Sequence, residues 1–127
     1  MKSNKNNVNK VIIIGNLGQD PELRQTPSGY TFTKLSLATN YSKKKADGQF
    51  EDLTEWHKAV VWGKRAESCV QYLKKGNRVY IEGELHTQSW KDKEGNKHKT
   101  TEIFVDEIKF LGGRREEAAV AIADQVQ

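Results

Sequence analysis

Residues 54–63, TEWHKAVVWG, hold the side chains best suited to do chemistry. The stretch is rich in β-branched and aromatic residues, and this predicts a strand. Alternation along a strand puts Trp56, Lys58, Val60 and Trp62 on one face and Glu55, His57, Ala59 and Val61 on the other. Two indoles thus flank a lysine, separated by roughly 20 Å of strand. Flat π-surfaces with a cation between them suit a chain of flat rings joined by phosphates, which is single-stranded nucleic acid. The same pattern also fits a core strand, because tryptophan is largely buried on average. The lysine argues against a dry face.

The opposite face offers a second chemistry. Glu55 and His57 could form an acid/base pair, as in a nuclease. Yet Glu and His two apart on a strand are more often an interface or surface pair. No cluster of carboxylates, His or Cys has metal-ligand spacing, and no nucleophile motif is present. A non-enzymatic protein is therefore expected, with no catalytic residue, metal or cofactor.

The elements that must position this strand follow in order. Val11-Ile12-Ile13-Ile14 is a short apolar run that fits a strand buried on both faces, and Gly15 lets it bend into a barrel. Thr26-Pro27-Ser28-Gly29 is a β-turn. A second strand covers Tyr30 to Thr39, with Thr31, Thr33, Leu35 and Leu37 on one face and Phe32, Lys34, Ser36 and Ala38 on the other. Tyr41 to Gly48 is a polar, basic connection; beside two tryptophans its lysines become phosphate contacts. Ala66, Cys69, Val70 and Leu73 fall at helical spacing, and Gly76 stops the helix. Alternation returns from Arg78 to Trp90, with Val79, Ile81, Gly83 and Leu85 pointing one way. A charged hairpin tip is built around Gly95-Asn96. The last strand, Thr100 to Leu111, sets Ile103 and Val105 on one face against Phe104, Ile108 and Phe110 on the other. Five strands with one helix after the third predict an all-β fold, a five-stranded OB-fold barrel with one short helix between strands three and four.

Composition is consistent with one domain. The 127 residues carry 21 Lys+Arg against 17 Asp+Glu, a formal charge of +4. Residues 1–113 hold 19 basic against 14 acidic side chains, so the body is mildly basic and suited to a polyanion. The single cysteine, Cys69, cannot form an internal disulfide and points to a reducing compartment. The polar start lacks the apolar stretch of a signal peptide, and no run approaches membrane-spanning length. A soluble intracellular protein is expected. Residues 1–7 are a flexible arm, 8–113 the barrel, and 114–127 a short tail expected to be disordered.

Four segments agree in order and spacing with one family. Residues 8–22, VNKVIIIGNLGQDPE, resemble the opening of the bacterial and mitochondrial single-stranded DNA-binding proteins. Leu37-Ala38-Thr39, Thr54-Glu55-Trp56-His57 and Tyr80-Ile81-Glu82-Gly83 match further on. The resemblance implies a homotetramer that wraps single-stranded DNA without reading its sequence, in replication, recombination and repair. It implies base stacking by Trp56, Trp62 and Trp90, the family often having phenylalanine at the second position. It implies phosphate contacts from Lys58, Lys64, Lys74 and Lys75, with Lys34 on the neighbouring strand joining them. His57 and Tyr80 would sit at subunit contacts. Two departures stand out: Lys43 occupies a place where the family commonly has tryptophan, with Tyr41 on the same face two residues earlier. Also, His86-Thr87-Gln88-Ser89 precedes Trp90 where basic residues are usual.

The resemblance further implies a cytoplasmic, nucleoid-associated location, an organellar form remaining open. Family tails usually end in an acidic tip that recruits repair enzymes. Residues 114–127 have dispersed acids and a polar last residue, so tail-dependent recruitment is not expected. The alternative readings are an OB-fold module that binds RNA, or one for primosomal assembly; the choice between DNA and RNA rests on contacts to the 2′-hydroxyl.

Overall fold

In the computed structural model, which describes residues 6–112, the chain runs β1 (Val11–Leu17), β2 (Arg24–Gln25), β3 (Thr31–Lys44), β4 (Phe50–Trp62), α1 (Lys64–Tyr72), β5 (Arg78–Lys91) and β6 (Lys97–Gly112). Apart from the two-residue β2, this is five strands with the helix between the third and fourth, as the periodicity predicts. The sheet order is β1-β5-β6-β4-β3-β2, and β1 pairs again with β3 through Asn16↔Ala38 and Leu17↔Leu37. That second pairing curls the sheet back on itself around one core. Gly15 permits it: a Cβ there would lie 2.6 Å from the Ala38 carbonyl oxygen, so any side chain would push β1 off β3.

The core holds Leu35 and Leu37 of β3, Ala59 and Val61 of β4, Val79 and Ile81 of β5, and Ile103 of β6. Ala66, Cys69 and Leu73 cover it from α1 and its end. These are the inward positions that alternation and helical spacing predict for β3, β4 and α1. Truncating one of them, such as Leu37→Ala, costs about 2–5 kcal/mol through lost burial and the cavity left behind. Burial pushes the Cys69 thiol up to about 11, which fits a packing residue and not a reactive one.

Three expectations are corrected. β1 is buried on one face only: Ile13 and Leu17 point inward, while Ile12 and Ile14 are exposed at 57% and 45%. A strand next to solvent alternates, and a continuous apolar run hides that from sequence. The Tyr41–Gly48 connection is largely strand. β3 and β4 pair without interruption out to Lys44↔Phe50, which leaves only a tight turn closed by Gly48 N–H to the Lys45 carbonyl. Ile108 and Phe110 pack towards the core with Val105, not on the face of Phe104. Glu82 pairs with Glu107 but Gly83 with Val105, so Asp106 is the extra residue of a β-bulge that reverses the alternation. Leu85 keeps its place on the inner face opposite Ile103, but it lies beyond the closed part of the ring and is exposed.

Of the arm expected at 1–7, residues 6 and 7 are exposed and the rest lies outside the described residues, as does the tail expected at 114–127. Among the described residues no helix is long and apolar enough to cross a membrane.

Candidate nucleic-acid interface

The outward-facing sides of β3, β4, β6 and β5 form one continuous surface. It carries Phe32 and Lys34, then Trp56, Lys58, Val60 and Trp62, then Thr100, Glu102 and Phe104, then His86 and Trp90. Trp56, Trp62 and Trp90 are 57%, 40% and 50% exposed, so the core reading of the tryptophans fails. An exposed indole loses apolar burial, and three on one face make a surface that a flat apolar ligand would cover.

Strand register assembles an aromatic row that no single segment contains. Phe32 sits opposite Trp62 with ring centroids 5.2 Å apart, and Trp62 meets Phe104 edge-on at 6.3 Å. Phe104 stacks on His86 at 4.3 Å. The row therefore crosses β3, β4, β6 and β5 in turn. A second stack stands near the β5–β6 tip: Trp90 lies on His98 at 4.5 Å and donates its indole N–H to Thr100 Oγ1 at 2.9 Å. His98 in turn donates to Asp92 Oδ2 at 2.8 Å. That hydrogen bond, with the backbone N–H of Asn96, holds the Asp92 carboxyl below its ordinary value. The indole is thus fixed in orientation while one face stays open.

Trp56 is seated differently. Its ring covers Gly18 just past β1, where a Cβ would stand only 2.4 Å from the indole. Gly18 N–H donates to the Ser36 carbonyl, which fastens that backbone to β3 directly under the ring.

Grooves separate these plates. The largest, about 700 Å³, runs between Trp90, Lys34 and Lys58 on one side and the 19–24 loop on the other. A second of about 270 Å³ is walled by Phe32, Trp62 and Phe104. A third, about 410 Å³, opens where β4 and β6 part below their short parallel pairing and holds Trp56, Lys58, His57 and Leu85. Trp56, Trp62, Trp90, Lys34 and Lys58 are brought together on this face.

The other sequence-predicted residues lie elsewhere. Lys64 opens α1, and Lys74 and Lys75 follow its end; none of the three lines these grooves. The Lys75 N–H is nevertheless tied to Asp20 Oδ1 at 2.7 Å, at the edge of the largest groove. Tyr41 and Lys43 pair with Leu53 and Glu51, which puts them on the side of the β3–β4 ribbon opposite Trp56. His57 Nε2 is bonded to Thr39 Oγ1 at 2.9 Å, inside the third opening. Tyr80 lies across from Ile14 on the outer side of β1 and β5 and donates its hydroxyl to Glu82. That bond, chiefly, keeps Glu82 below its ordinary carboxyl range and Tyr80 above its ordinary phenol range.

Several site residues escape sequence reasoning: Phe104, His86, His98, Glu102 and the exposed Phe50, which shares the ribbon face of Trp56. Phe32 could have been found from the strand face it shares with the predicted Lys34, but their neighbours across the sheet could not. Among the described residues no group of three or more His, Cys, Asp and Glu could hold a metal ion.

The comparisons agree with this geometry. Residues 8–111 match the Single-strand binding protein family. The chain is 49% identical over 108 residues to Single-stranded DNA-binding protein 1 of Chlorobaculum tepidum, an alignment that covers 84% of this chain and 67% of that one. Its fold is similar to that of the Plasmodium falciparum SSB in complex with ssDNA. That match has a TM-score of 0.75 and 30% identity, and it covers 86% of this chain and 99% of that one. It is similar also to a deletion mutant of the single-stranded DNA binding protein from Thermus aquaticus (TM-score 0.72, 31% identity, 84% of this chain and 52% of that one).

Proposed function

The chain belongs to the single-strand binding protein family, and from that premise we propose that it binds single-stranded DNA independently of sequence and protects it during replication, recombination and repair. The observation that carries this reading is the exposed aromatic surface with Lys34 and Lys58 set among its plates. Every base has a π-face, so plates give affinity that tolerates sequence, while each lysine adds a salt-dependent phosphate attraction. Trp56, Trp62 and Trp90 act as base platforms, joined by Phe32 and Phe104. Lys64, Lys74, Lys75, Tyr41 and Lys43 flank the surface and serve a strand that wraps beyond it.

The protein acts by binding alone and works as a homotetramer in the cytoplasm, associated with the nucleoid. The uncovered isoleucines of β1 support assembly, with Tyr80 beside them; His57 is assigned to a subunit contact on the family resemblance. Adding oligo-dT should quench tryptophan emission, less strongly at high salt. Absence of quenching with a folded protein would overturn the reading. Labelled oligonucleotide incubated with divalent metal should stay intact, and competition by oligo-U should be weaker than by oligo-dT.

A further inference from the structure

The groove that should hold a polyanion is not basic. Its lining sets Asp20, Glu22 and Glu102 against Arg24, Lys34 and Lys58. Arg24 Nη2 already stands 3.6 Å from Glu22 Oε2, and Lys34 Nζ 3.0 Å from Glu102 Oε2. A phosphate lowered onto this floor would meet carboxylates. The backbone of a bound strand must therefore follow the rim, with the bases turned down into the groove.

Glu102 is the residue they would meet. It lies in the floor between the groove of Trp90 and the smaller one walled by Phe32, Trp62 and Phe104, and its side chain is 2% exposed. The Lys34 ammonium pairs with Oε2 as an ion but off hydrogen-bond alignment, and among the described residues no other donor reaches that oxygen. Lys34 itself is half-exposed on a flexible stem, free to swing up to a phosphate at the rim. That movement would strand a buried carboxylate, which is costly unless an N–H replaces the ammonium. The exocyclic amino group of cytosine is such a donor, and carboxylates accept from it in groove recognition. Thymine offers the O4 acceptor at the same position, two oxygens facing each other.

We infer that Glu102 is a base-edge contact, with Lys34 as its movable cover, and that this one position favours a base carrying an exocyclic amino group over thymine. The inference rests on the single-stranded DNA reading and adds a local preference to an otherwise sequence-tolerant surface.

The test compares oligo-dT with oligo-(5-methyl-dC), which share the methyl group and ring size and differ at position 4, carbonyl against amino, and in the proton on N3. Both are titrated by tryptophan quenching at pH 8 against the wild-type protein, Glu102→Gln and Lys34→Ala, each verified as folded. Intrinsic strand stiffness cancels when the affinity ratio of the two oligonucleotides is compared between proteins. Glu102→Gln, whose amide can donate to O4, should shift that ratio about tenfold towards oligo-dT. Lys34→Ala should shift it the other way. An unchanged ratio in both variants would overturn the inference. A changed salt dependence with an unchanged ratio would overturn it too, showing that Glu102 only positions Lys34. Failure of the wild-type protein to bind either oligonucleotide would instead remove the single-stranded DNA reading beneath it.

Discussion

Two outer surfaces of the same small sheet are left uncovered, and they differ in kind. The β1–β5 side shows Ile12, Ile14 and Tyr80, aliphatic apart from one ring, with Lys10 and Glu82 3.7 Å apart at its edge. The β3–β4–β6–β5 side shows aromatic rings separated by grooves in which Lys34 and Lys58 stand. Branched aliphatic side chains gain most from close packing against another apolar protein face. Rings with open faces gain from stacking on other rings, and their grooves admit a thin ligand. One surface suits a second copy of the chain, the other a strand of bases. Exposure alone would not distinguish them; side-chain shape and the placement of cations do.

The largest effect should come from charging the aliphatic face. Ile14→Asp is expected to reduce the assembly to species approaching the 14.5 kDa subunit in sedimentation equilibrium, while tryptophan quenching by a short oligonucleotide persists. Loss of quenching with intact assembly would reverse the assignment of the two faces. Next in size are the plates: Trp56→Ala, Trp62→Ala and Trp90→Ala should each weaken oligo-dT binding by about 1–3 kcal/mol without altering the sedimenting mass. Normal binding by all three would empty the aromatic face of its role.

A smaller effect probes the seat of one plate. Gly18→Ala puts a methyl where the Trp56 indole lies, so the ring must tilt, and affinity should fall by about 1 kcal/mol, less than in Trp56→Ala. Equal losses would mean that ring position counts for as much as its presence. The smallest change is expected from Lys58→Ala. Removing one phosphate contact should flatten the plot of log affinity against log salt by about 0.7 and leave assembly untouched. An unchanged slope would place Lys58 outside the backbone path.

Much of this site was legible in the chain because strands report their faces locally. The alternation of Trp56, Lys58, Val60 and Trp62 against His57, Ala59 and Val61 is a property of ten residues and survives folding unchanged. So does the inward set Thr33, Leu35 and Leu37 of β3, and the apolar stripe Ala66, Cys69 and Leu73 of the helical region. The order of elements and the position of the helix followed from the same local periodicities.

Relations between strands were decided only by the fold. Phe104 seemed to belong with Ile108 and Phe110 because period-two counting assumes an uninterrupted strand; the extra residue Asp106 breaks the count and turns Phe104 out to meet Trp62 and His86. Tyr41 and Lys43 appeared as loop because lysine runs disfavour strands, yet thirteen consecutive pairs carry β3 and β4 past them. Glu102 carried no local signal at all. It became a groove-floor carboxylate because the parallel contact of β4 with β6 draws it against Lys34. A side chain's face is set by its neighbours in sequence, whereas its partners across the sheet depend on register, bulges and closure, which are properties of the whole chain.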